Sequence, residues 1–244
     1  ECRPAFDYGQ AKHQLKIESS GAIFSSNGVH IGLTSPVELH AKNGGVETEL
    51  LLREGEHAVF LLRQQDAESG QPPIDPTFDG NAAQEQTVQY WRRWLQGVTY
   101  RGRWREMVER SALTLKLLTF APTGAIVAAP TCSLPEEIGG VRNWDYRYTW
   151  IRDSAFTVYG FIRLGLTQEA EHFVNFIEAR AKESAPDGSL QIMYGINGEH
   201  ELPEHELTHL EGYRGSGPVR IGNAAADQLQ LDIYGELMDS VYLY

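Results

Sequence analysis

The sequence has few cysteines and no long apolar run, and each shortage argues against a class of protein. Cys2 and Cys132 are the only cysteines in 244 residues and lie far apart, which argues against a disulfide framework and predicts a reducing compartment, the cytoplasm. No stretch approaches the roughly 20 apolar residues of a membrane helix, and the first residues lack the pattern of a signal peptide. We therefore expect a protein without a membrane partner.

Basic residues are also scarce. Lys and Arg together number 21 against 33 Asp and Glu, which gives a formal net charge of -12. A nucleic-acid partner requires clustered basic side chains, so none is expected, whereas an uncharged ligand is compatible with this charge. The sequence contains no repeat or low-complexity tract, and its 41% hydrophobic and 10% aromatic residues are ordinary for a globular protein.

Apolar periodicity divides the chain into two parts. From Glu1 to about Gln65, strand-like runs stand between Asn-Gly, Asn-Gly-Gly and Glu-Gly-Glu turn signals, which is typical of antiparallel strands. These runs are HQLKIES, AIFS, VHIGLT, VELHAK, VETELLLR and HAVFLLR. The next segment contains Pro72, Pro73 and Pro76, so we interpret it as a linker. Beyond it, a period of about 3.6 predicts helices at residues 82–97, 104–120, 151–165, 167–182 and 221–244.

Two long loops, residues 121–149 and 183–220, alternate with the predicted helices. Loops longer than about 12 to 15 residues are uncommon in compact domains unless they carry function. We therefore expect the functional residues in these loops. The first of them ends in an aromatic segment that is unusual enough to consider separately.

The aromatic segment, Arg142–Asp153, reads RNWDYRYTWIRD and places an aromatic residue at every second position from Trp144 to Trp150. Extended backbone would put these rings on one face and the charged residues Asp145 and Arg147 on the other. Aromatic rings stack on the apolar faces of a sugar, while guanidinium and carboxylate groups bind its hydroxyls. The segment predicts a carbohydrate pocket. The alternative is an aromatic strand that packs into a core and leaves its charges in solvent.

The aromatic segment resembles glycoside hydrolase family 15, the glucoamylases and related bacterial trehalases. TGAIVAAPTCSLPEEIGG before it and HLEGYRGSGPVRIGNAAADQLQLDIYGE after it carry the same resemblance, which covers roughly residues 90–244. It implies a two-domain α+β fold, a partial antiparallel β-sandwich followed by an incomplete (α/α)6 barrel. The implied bounds are 1–70 for the C-terminal part of the sandwich, 71–101 for a linker with a helix, and 102–244 for the N-terminal part of the barrel.

The resemblance also implies an activity. Family members invert the anomeric centre and release glucose from the non-reducing end of an α-glucan, trehalose or an isomaltose-type substrate, without a metal or organic cofactor. The expected partner is thus a small carbohydrate with a terminal α-linked glucose. Carried over to this sequence, the residues implied to bind that glucose are Asp145, Tyr146, Tyr148, Trp150, Arg152, Asp153 and Arg220.

The two catalytic carboxylates of the family belong to motifs that would follow Tyr244. Because the chain also begins with Glu1 instead of Met, we expect a fragment that is inactive alone. Glu136 and Glu137 lie near the aromatic segment and invite assignment as an acid–base pair, since inverting hydrolysis requires two carboxyls about 6.5 to 9.5 Å apart. Adjacent side chains usually point in different directions, so we expect these two to be solvated or capping carboxylates.

A second motif, HELTH at His205–His209, fits the HExxH pattern of zinc peptidases. On a helix its two histidines would share a face and bind zinc, with Glu206 as base and Glu236 as a candidate third ligand. Pro203 before the motif and Gly212 after it leave about two turns of polar helix, so we interpret the match as accidental. A zinc metallopeptidase and a sugar-binding module without catalysis are the alternatives to the hydrolase.

If HELTH is accidental, protein purified without a metal-affinity tag will contain well under one zinc ion per chain. A chelator will leave the glucosidase activity of the natural full-length protein unchanged, because no zinc takes part in it. Elemental analysis and activity assays measure the two outcomes. One tightly held zinc per chain would return the peptidase to consideration.

Overall fold

The computed structural model describes residues 1–65, 72–183 and 189–243. The chain forms two compact units, Glu1–Gln89 and Tyr90–Tyr244. An antiparallel sheet lies in the first unit and most of the helical residues lie in the second, in agreement with the expected α+β class. Within the described ranges, no helix is both long enough and apolar enough to cross a membrane.

The N-terminal unit is built on a four-stranded antiparallel sheet and a separate two-stranded ladder. The sheet has the order β1-β2-β3-β6 and the ladder pairs β4 with β5. The strands are β1 (Gln14–Glu18), β2 (Gly21–Ser26), β3 (Val29–Thr34), β4 (His40–Lys42), β5 (Gly45–Glu47) and β6 (Leu61–Gln64). A short turn, Phe6–Gly9, with positive φ at Asp7 and Tyr8, precedes them. The buried core consists of Ala22, Phe24, Leu33, Leu39 and Val46.

Two hairpins in this unit turn at the Asn-Gly pairs that the sequence marks. Asn27 and Gly28 have φ values of 48° and 80°, and Asn43 and Gly44 have 49° and 77°. Positive φ at both central residues is the type I′ turn, whose twist matches that of the flanking strands. The turn chemistry therefore sets the register of both hairpins.

Several predicted strands are shorter than their apolar runs, and VELHAK becomes strand only at His40. VETELLLR continues as strand only to Glu47, and HAVFLLR becomes strand only at Leu61. The reason for the second is visible in the pairing: Leu61 pairs with Thr34, the last residue of β3, so earlier residues of the run have no partner on that strand. An apolar run does not extend a strand beyond its partner.

The predicted linker falls partly on residues 66–71, which lie outside the described residues. Its described part packs across the sheet of the N-terminal unit. The Asp75 amide donates to Thr34 Oγ1 at 2.9 Å. The Pro73 carbonyl lies so close to Gly32 that any Cβ at that position would overlap it. Position 32 therefore requires glycine because of this close approach.

The second unit is mainly helical, and its short strands lie in the long loops. The helices are α1 (Gly80–Leu95), which contains the division between the units, α2 (Arg105–Leu117), α3 (Ile151–Arg163), α4 (Thr167–Glu183) and α5 (Asp232–Leu243). The strands are β7 (Thr149–Trp150) paired with β8 (Met193–Tyr194), and β9 (His205–Glu206) paired with β10 (Arg220–Ile221). Two 3-10 helices cover Tyr213–Gly215 and Ala224–Asp227.

The last helix starts later than its sequence pattern predicts, at Asp232 instead of Ile221. Gly222 adopts a φ of 77°, which an α-helix cannot accommodate. The Asn223 side chain then accepts from the Ala225 amide at 3.0 Å and caps a single 3-10 turn. In this segment the local cap and the positive φ of Gly222 therefore determine the backbone, although the apolar periodicity is helical.

Helix α3 is central to the C-terminal unit and packs against both α4 and α5. Its residues Ile151, Ala155, Val158 and Phe161 form a buried stripe with helical spacing. The helix ends in a Schellman motif, in which the Leu166 amide donates to the Phe161 carbonyl at 2.8 Å and the adjacent Gly165 has positive φ. Burial of Ile151 fixes the start of α3, and the Schellman motif fixes its end.

A buried carboxylate also ties the helices together. Glu169 on α4 is 3% exposed, and its Oε1 accepts from Trp94 Nε1 at 2.6 Å and lies 3.1 Å from Lys116 Nζ. Trp94 belongs to the end of α1 and Lys116 to the end of α2. A charge without access to water must be paired in this way, so this contact fixes where three helices meet.

We expect Phe161→Ala to lower the free energy of unfolding by about 3 to 5 kcal/mol, because it leaves a cavity in the centre of the core. Phe156 lies on the same helix but is 62% exposed, so Phe156→Ala is the matched control and should change stability by less than about 1 kcal/mol. Urea unfolding of both variants of the chain measures the difference. Similar losses in the two variants would contradict the central position of Phe161.

Candidate functional site

A cavity of about 490 Å³ lies in the C-terminal unit where the aromatic segment meets the start of α3. We call it the aromatic cavity. Its walls include Trp144, Tyr146, Trp150, Arg152, Asp153 and Glu204. Four residues predicted from the sequence, Tyr146, Trp150, Arg152 and Asp153, thus come together around one volume.

A larger cavity of about 1120 Å³ lies in the N-terminal unit and includes none of the predicted site residues. Its walls are mostly apolar and hydroxyl side chains. The buried side-chain polar atoms that lack a hydrogen-bond partner among the described residues all belong to the C-terminal unit. A polar ligand would supply hydrogen-bond partners to such atoms. The smaller cavity is therefore the better candidate for a ligand site.

The change from strand to helix places two charged groups at the aromatic cavity. Trp150 is the last residue of β7 and has extended dihedrals, φ -77° and ψ 128°, and α3 begins at the next residue. The Ile151 amide donates to the Ile192 carbonyl at 3.0 Å and fixes this junction. Arg152 and Asp153 therefore lie in the first helical turn, where the partial positive charge of the helix N-terminus favours the Asp153 carboxylate.

The expected separation of aromatic and charged faces holds only in part. Trp144, Tyr146 and Trp150 line the aromatic cavity, but Tyr148 packs against the core and lines a different cavity together with Arg147. The reason is that only Thr149–Trp150 of the segment is regular strand. Irregular backbone between Asp145 and Tyr148 does not maintain the two-residue alternation.

The Arg152 guanidinium is held by several neighbours at the edge of the aromatic cavity. Its Nη1 donates to Gln230 Oε1 and Asp232 Oδ2, both at 3.1 Å. Its Cζ lies 5.3 Å from the centre of the Trp150 ring, and its Nη2 lies 3.6 Å from Asp153 Oδ2. These contacts fix the orientation of Arg152, so its remaining N–H groups are directed before any ligand arrives.

Two polar atoms of the cavity walls have no hydrogen-bond partner in the part of the chain that the structure describes. They are Trp150 Nε1, a donor, and Asp153 Oδ2, an acceptor whose distance to Arg152 is that of an ion pair and not of a hydrogen bond. A buried polar group left without a partner costs about 1 to 3 kcal/mol. A donor and an acceptor on the same cavity are suited to a ligand with hydroxyl groups, which both donate and accept.

Tyr146 contributes a hydroxyl that remains protonated. Burial raises the pKa of the Tyr146 hydroxyl above its usual value, and the carboxylates of Glu136 and Asp153 raise this pKa further. The hydroxyl donates to Glu136 Oε1 at 3.4 Å. Tyr146 therefore acts as a hydrogen-bond donor at this wall throughout the physiological pH range.

Asp145 is fully buried and lies behind the aromatic cavity, outside its lining. Its two carboxylate oxygens accept from Arg147 Nε at 2.8 Å and Nη2 at 2.7 Å, and Oδ2 also lies 3.3 Å from the Gly222 amide. The Asp145 carbonyl accepts from Asn223 Nδ2 at 3.1 Å. Asp145 thus anchors the aromatic segment to the segment that includes Gly222 and Asn223.

Arg220 also lies outside the cavity lining, although the resemblance implied that it binds the glucose. Its Cζ lies 5.0 Å from the centre of the Trp144 ring, and its Nε lies 3.2 Å from Glu204 Oε1. Its Nη1 donates to the Val141 carbonyl at 2.8 Å. Arg220 contacts two lining residues from behind.

Three polar lining residues have no role in the sequence-based prediction, namely Glu204, Asn223 and Gln228. Glu204 belongs to the second long loop, and the other two lie within GNAAADQLQLDIYGE, which carries part of the family resemblance. Trp144 belongs to the aromatic segment, and its alternation with Tyr146 was the available signal. No local pattern marks Glu204, because it reaches the cavity only through the tertiary fold.

The zinc hypothesis for HELTH required a helix, and the structure does not form one there. His205 and Glu206 are the two residues of β9, paired with β10, and the chain then enters a turn. Histidines four residues apart share a face on a helix, but here His205 lies on a strand and His209 in the turn after it, so that helical spacing does not apply. Across the described ranges, no three His, Cys, Asp or Glu side chains converge on a possible ion position. HELTH therefore lacks the helix that the zinc metallopeptidase alternative requires.

Comparison with known proteins identifies the family and several relatives of this chain. The family described as glycosyl hydrolases family 15 matches residues 102–244. Relatives include a trehalase of Mycolicibacterium smegmatis, 40% identical, and a trehalase of Mycobacterium tuberculosis, 42% identical, each alignment covering 100% of this chain and 37% of the relative. A trehalase of Thermoplasma acidophilum is 37% identical over 98% of this chain and 40% of its own length. The chain thus spans about two fifths of these relatives. No solved structure gives a significant match.

We expect Asp145→Asn to lower the free energy of unfolding by about 1 to 3 kcal/mol, because it removes the charge that binds Arg147 and Gly222. Asp153→Asn is the matched control: this side chain is 42% exposed, so the change should cost less than about 1 kcal/mol. Urea unfolding of both variant chains tests the comparison. An unchanged stability in Asp145→Asn would argue against its anchoring role.

Proposed function

The chain belongs to glycosyl hydrolases family 15, and from this we propose that the protein is an α-glucoside hydrolase that binds a terminal glucose unit in the aromatic cavity. The matched residues, 102–244, include every wall of that cavity. Relatives named trehalase support trehalose as the first substrate to test. Maltooligosaccharides and isomaltose-type glucosides are the alternatives within the family.

One observation carries this proposal: aromatic rings, charged groups and unpaired polar atoms face the same small volume. The rings of Trp144, Tyr146 and Trp150 offer flat surfaces for the C–H faces of a sugar. Arg152, Asp153 and the unpaired Trp150 Nε1 offer donors and acceptors for its hydroxyls. The volume of about 490 Å³ lies within the range of about 300 to 1,000 Å³ for small-molecule sites.

The charges of the cavity support an uncharged substrate. Arg152 lies beside Asp153, with 3.6 Å between Nη2 and Oδ2, and Glu204 pairs with Arg220 behind the wall. No positive charge of the lining is left without an acidic neighbour, so a phosphate group would find no free cation among the described lining residues. A neutral glucoside needs no such cation.

We propose that hydrolysis inverts the anomeric centre by single displacement from the non-reducing end, with a water on the face opposite the leaving group and without a cofactor. The general acid and general base are expected, from the family resemblance, in motifs that follow Tyr244. Glu136 and Glu137 are exposed and are not among the lining residues, so we do not assign them these roles. The proposed contribution of this chain is the glucose subsite.

The finer architecture belongs to the same proposal. We propose that residues 1–70 form part of a β-sandwich domain, that 71–101 link it to the next domain, and that 102–244 form part of an (α/α)6 barrel. The antiparallel sheet supports the first assignment, and helices α2 to α5 support the last. In this arrangement the long loops between helices carry the subsite, as in the aromatic cavity.

We expect Asp153→Asn to reduce kcat/KM for trehalose about ten- to a hundredfold in the natural full-length protein, because a charge-assisted hydrogen bond to a hydroxyl is lost. Stability should change little, since the side chain is half-exposed. Asp239→Asn, an exposed position on α5, is the matched control and should leave kcat/KM unchanged. Steady-state kinetics and urea unfolding measure both effects. Wild-type kcat/KM in Asp153→Asn would remove Asp153 from the subsite.

A further inference from the structure

On the basis of the proposed function, we infer that Arg220 is a positioning residue for sugar binding. It fixes Trp144 and Glu204, two walls of the aromatic cavity, and sets substrate affinity without touching the substrate. The family resemblance implied a direct contact for Arg220 instead. The two roles differ in the residues through which Arg220 acts, and the structure gives the geometry of each contact.

The guanidinium of Arg220 contacts two separate stretches of chain, residues 141–144 and 204–206. It stacks on Trp144 with 5.0 Å between Cζ and the ring centre, and its Nη1 donates to the Val141 carbonyl at 2.8 Å. On the other side, Nε lies 3.2 Å from Glu204 Oε1, and Nη2 lies 3.5 Å from Glu206 Oε1. The Nε contact has the distance of an ion pair but not the direction of a hydrogen bond. One side chain thus positions an aromatic wall and an acidic wall of the cavity together.

The Arg220 side chain has little conformational freedom. Its side chain is 13% exposed, and its backbone also makes hydrogen bonds. The Arg220 amide donates to Ser133 Oγ at 2.6 Å, and its carbonyl accepts from Cys132 Sγ at 3.3 Å. Strand pairing with Glu206 in β9 adds a further constraint. A side chain held at both ends positions its neighbours and does not reach into the cavity.

The charge of Arg220 matters as well as its shape. Glu204 is 23% exposed by side chain and shares the aromatic cavity with Asp153, so two carboxylates lie around one small volume. Arg220 compensates the first of them, and Arg152 lies beside the second. Without Arg220, Glu204 would be a partly buried charge without its cation and would move toward solvent. Such a movement would open the wall against which the sugar packs.

Lysine cannot reproduce these contacts. A guanidinium is planar, stacks on an indole ring and directs five N–H groups in a fixed fork, whereas an ammonium is a single point charge. Arg220→Lys therefore keeps the charge and removes the geometry. The chain offers a matched control in Arg142, which lies in the aromatic segment with Trp144. Its side chain is 73% exposed and pairs with Glu136 at 3.6 Å on the surface.

The experiment measures trehalose kinetics of the natural full-length protein carrying Arg220→Lys or Arg142→Lys. For Arg220→Lys we expect KM to rise about tenfold and kcat to change less than about twofold. The reason is that the substitution weakens binding of the substrate and of the transition state equally. The inhibition constant of glucose should rise by the same factor. The near-ultraviolet circular dichroism of the tryptophans should change, since the Trp144 environment changes. Arg142→Lys should match the wild type in all four measurements.

A double-mutant cycle tests the route through Trp144. If Arg220 acts by holding that ring, Trp144→Ala will raise KM much less in the Arg220→Lys background than in the wild type. Independent, multiplying effects would overturn the positioning role. So would a fall in kcat at unchanged KM, which would indicate that Arg220 takes part in the chemical step. Where Arg220→Lys does not fold, Glu204→Gln replaces it, with an expected rise in KM of about threefold, and an unchanged KM there overturns the inference.

The outcomes separate this inference from the proposed function. Wild-type protein that hydrolyses trehalose and loses activity in Asp153→Asn, but tolerates Arg220→Lys without change, retains the proposed function and loses the role of Arg220. Wild-type protein that does not hydrolyse an α-glucoside loses the proposed function itself. Each result therefore points to one of the two claims.

Discussion

A carboxylate that no water reaches must be paired within the protein, and the site is organised around one such group, Asp145. Its oxygens bind the Arg147 guanidinium and approach the Gly222 amide, while its carbonyl binds Asn223. Gly222 needs its positive φ and its missing Cβ, because any Cβ there would overlap the Pro203 carbonyl. The segments that carry Glu204 and Asn223 are thereby brought against the aromatic segment, and the cavity lies where they meet.

Much of the local structure could be predicted from the sequence because its determinants are local. Asn-Gly pairs set the hairpin turns, and apolar periodicity located all five helices to within a few residues except at the start of α5. That exception and the shortened strands arise from features other than periodicity. Caps, positive-φ glycines and the length of a partner strand decide where an element begins, and periodicity carries no information about them.

The sequence could predict the region of the candidate site but not which of its residues line the cavity. The aromatic segment and the family resemblance identified Tyr146, Trp150, Arg152 and Asp153, which share the cavity. They did not separate lining residues from residues that support the lining, such as Asp145 and Arg220. That distinction depends on side-chain direction over irregular backbone and on partners about 80 residues away, for example the Gly222 amide. HELTH shows the opposite failure: a sequence pattern can suggest a site that the fold does not form, because its spacing brings the two histidines together only on a helix.

The walls of the aromatic cavity come from distant parts of the chain, and this has a consequence for how the protein folds. The contacts that close the cavity span 77 residues from Asp145 to Gly222 and 87 from Ser133 to Arg220, whereas α3 and α4 are neighbours along the chain. Closing long loops costs entropy that only later contacts repay, so adjacent helices associate before the cavity exists. A partly folded chain can therefore be rich in helix and still have no site. Any ligand of the cavity recognises the completed fold alone and raises its stability in proportion to the logarithm of ligand concentration.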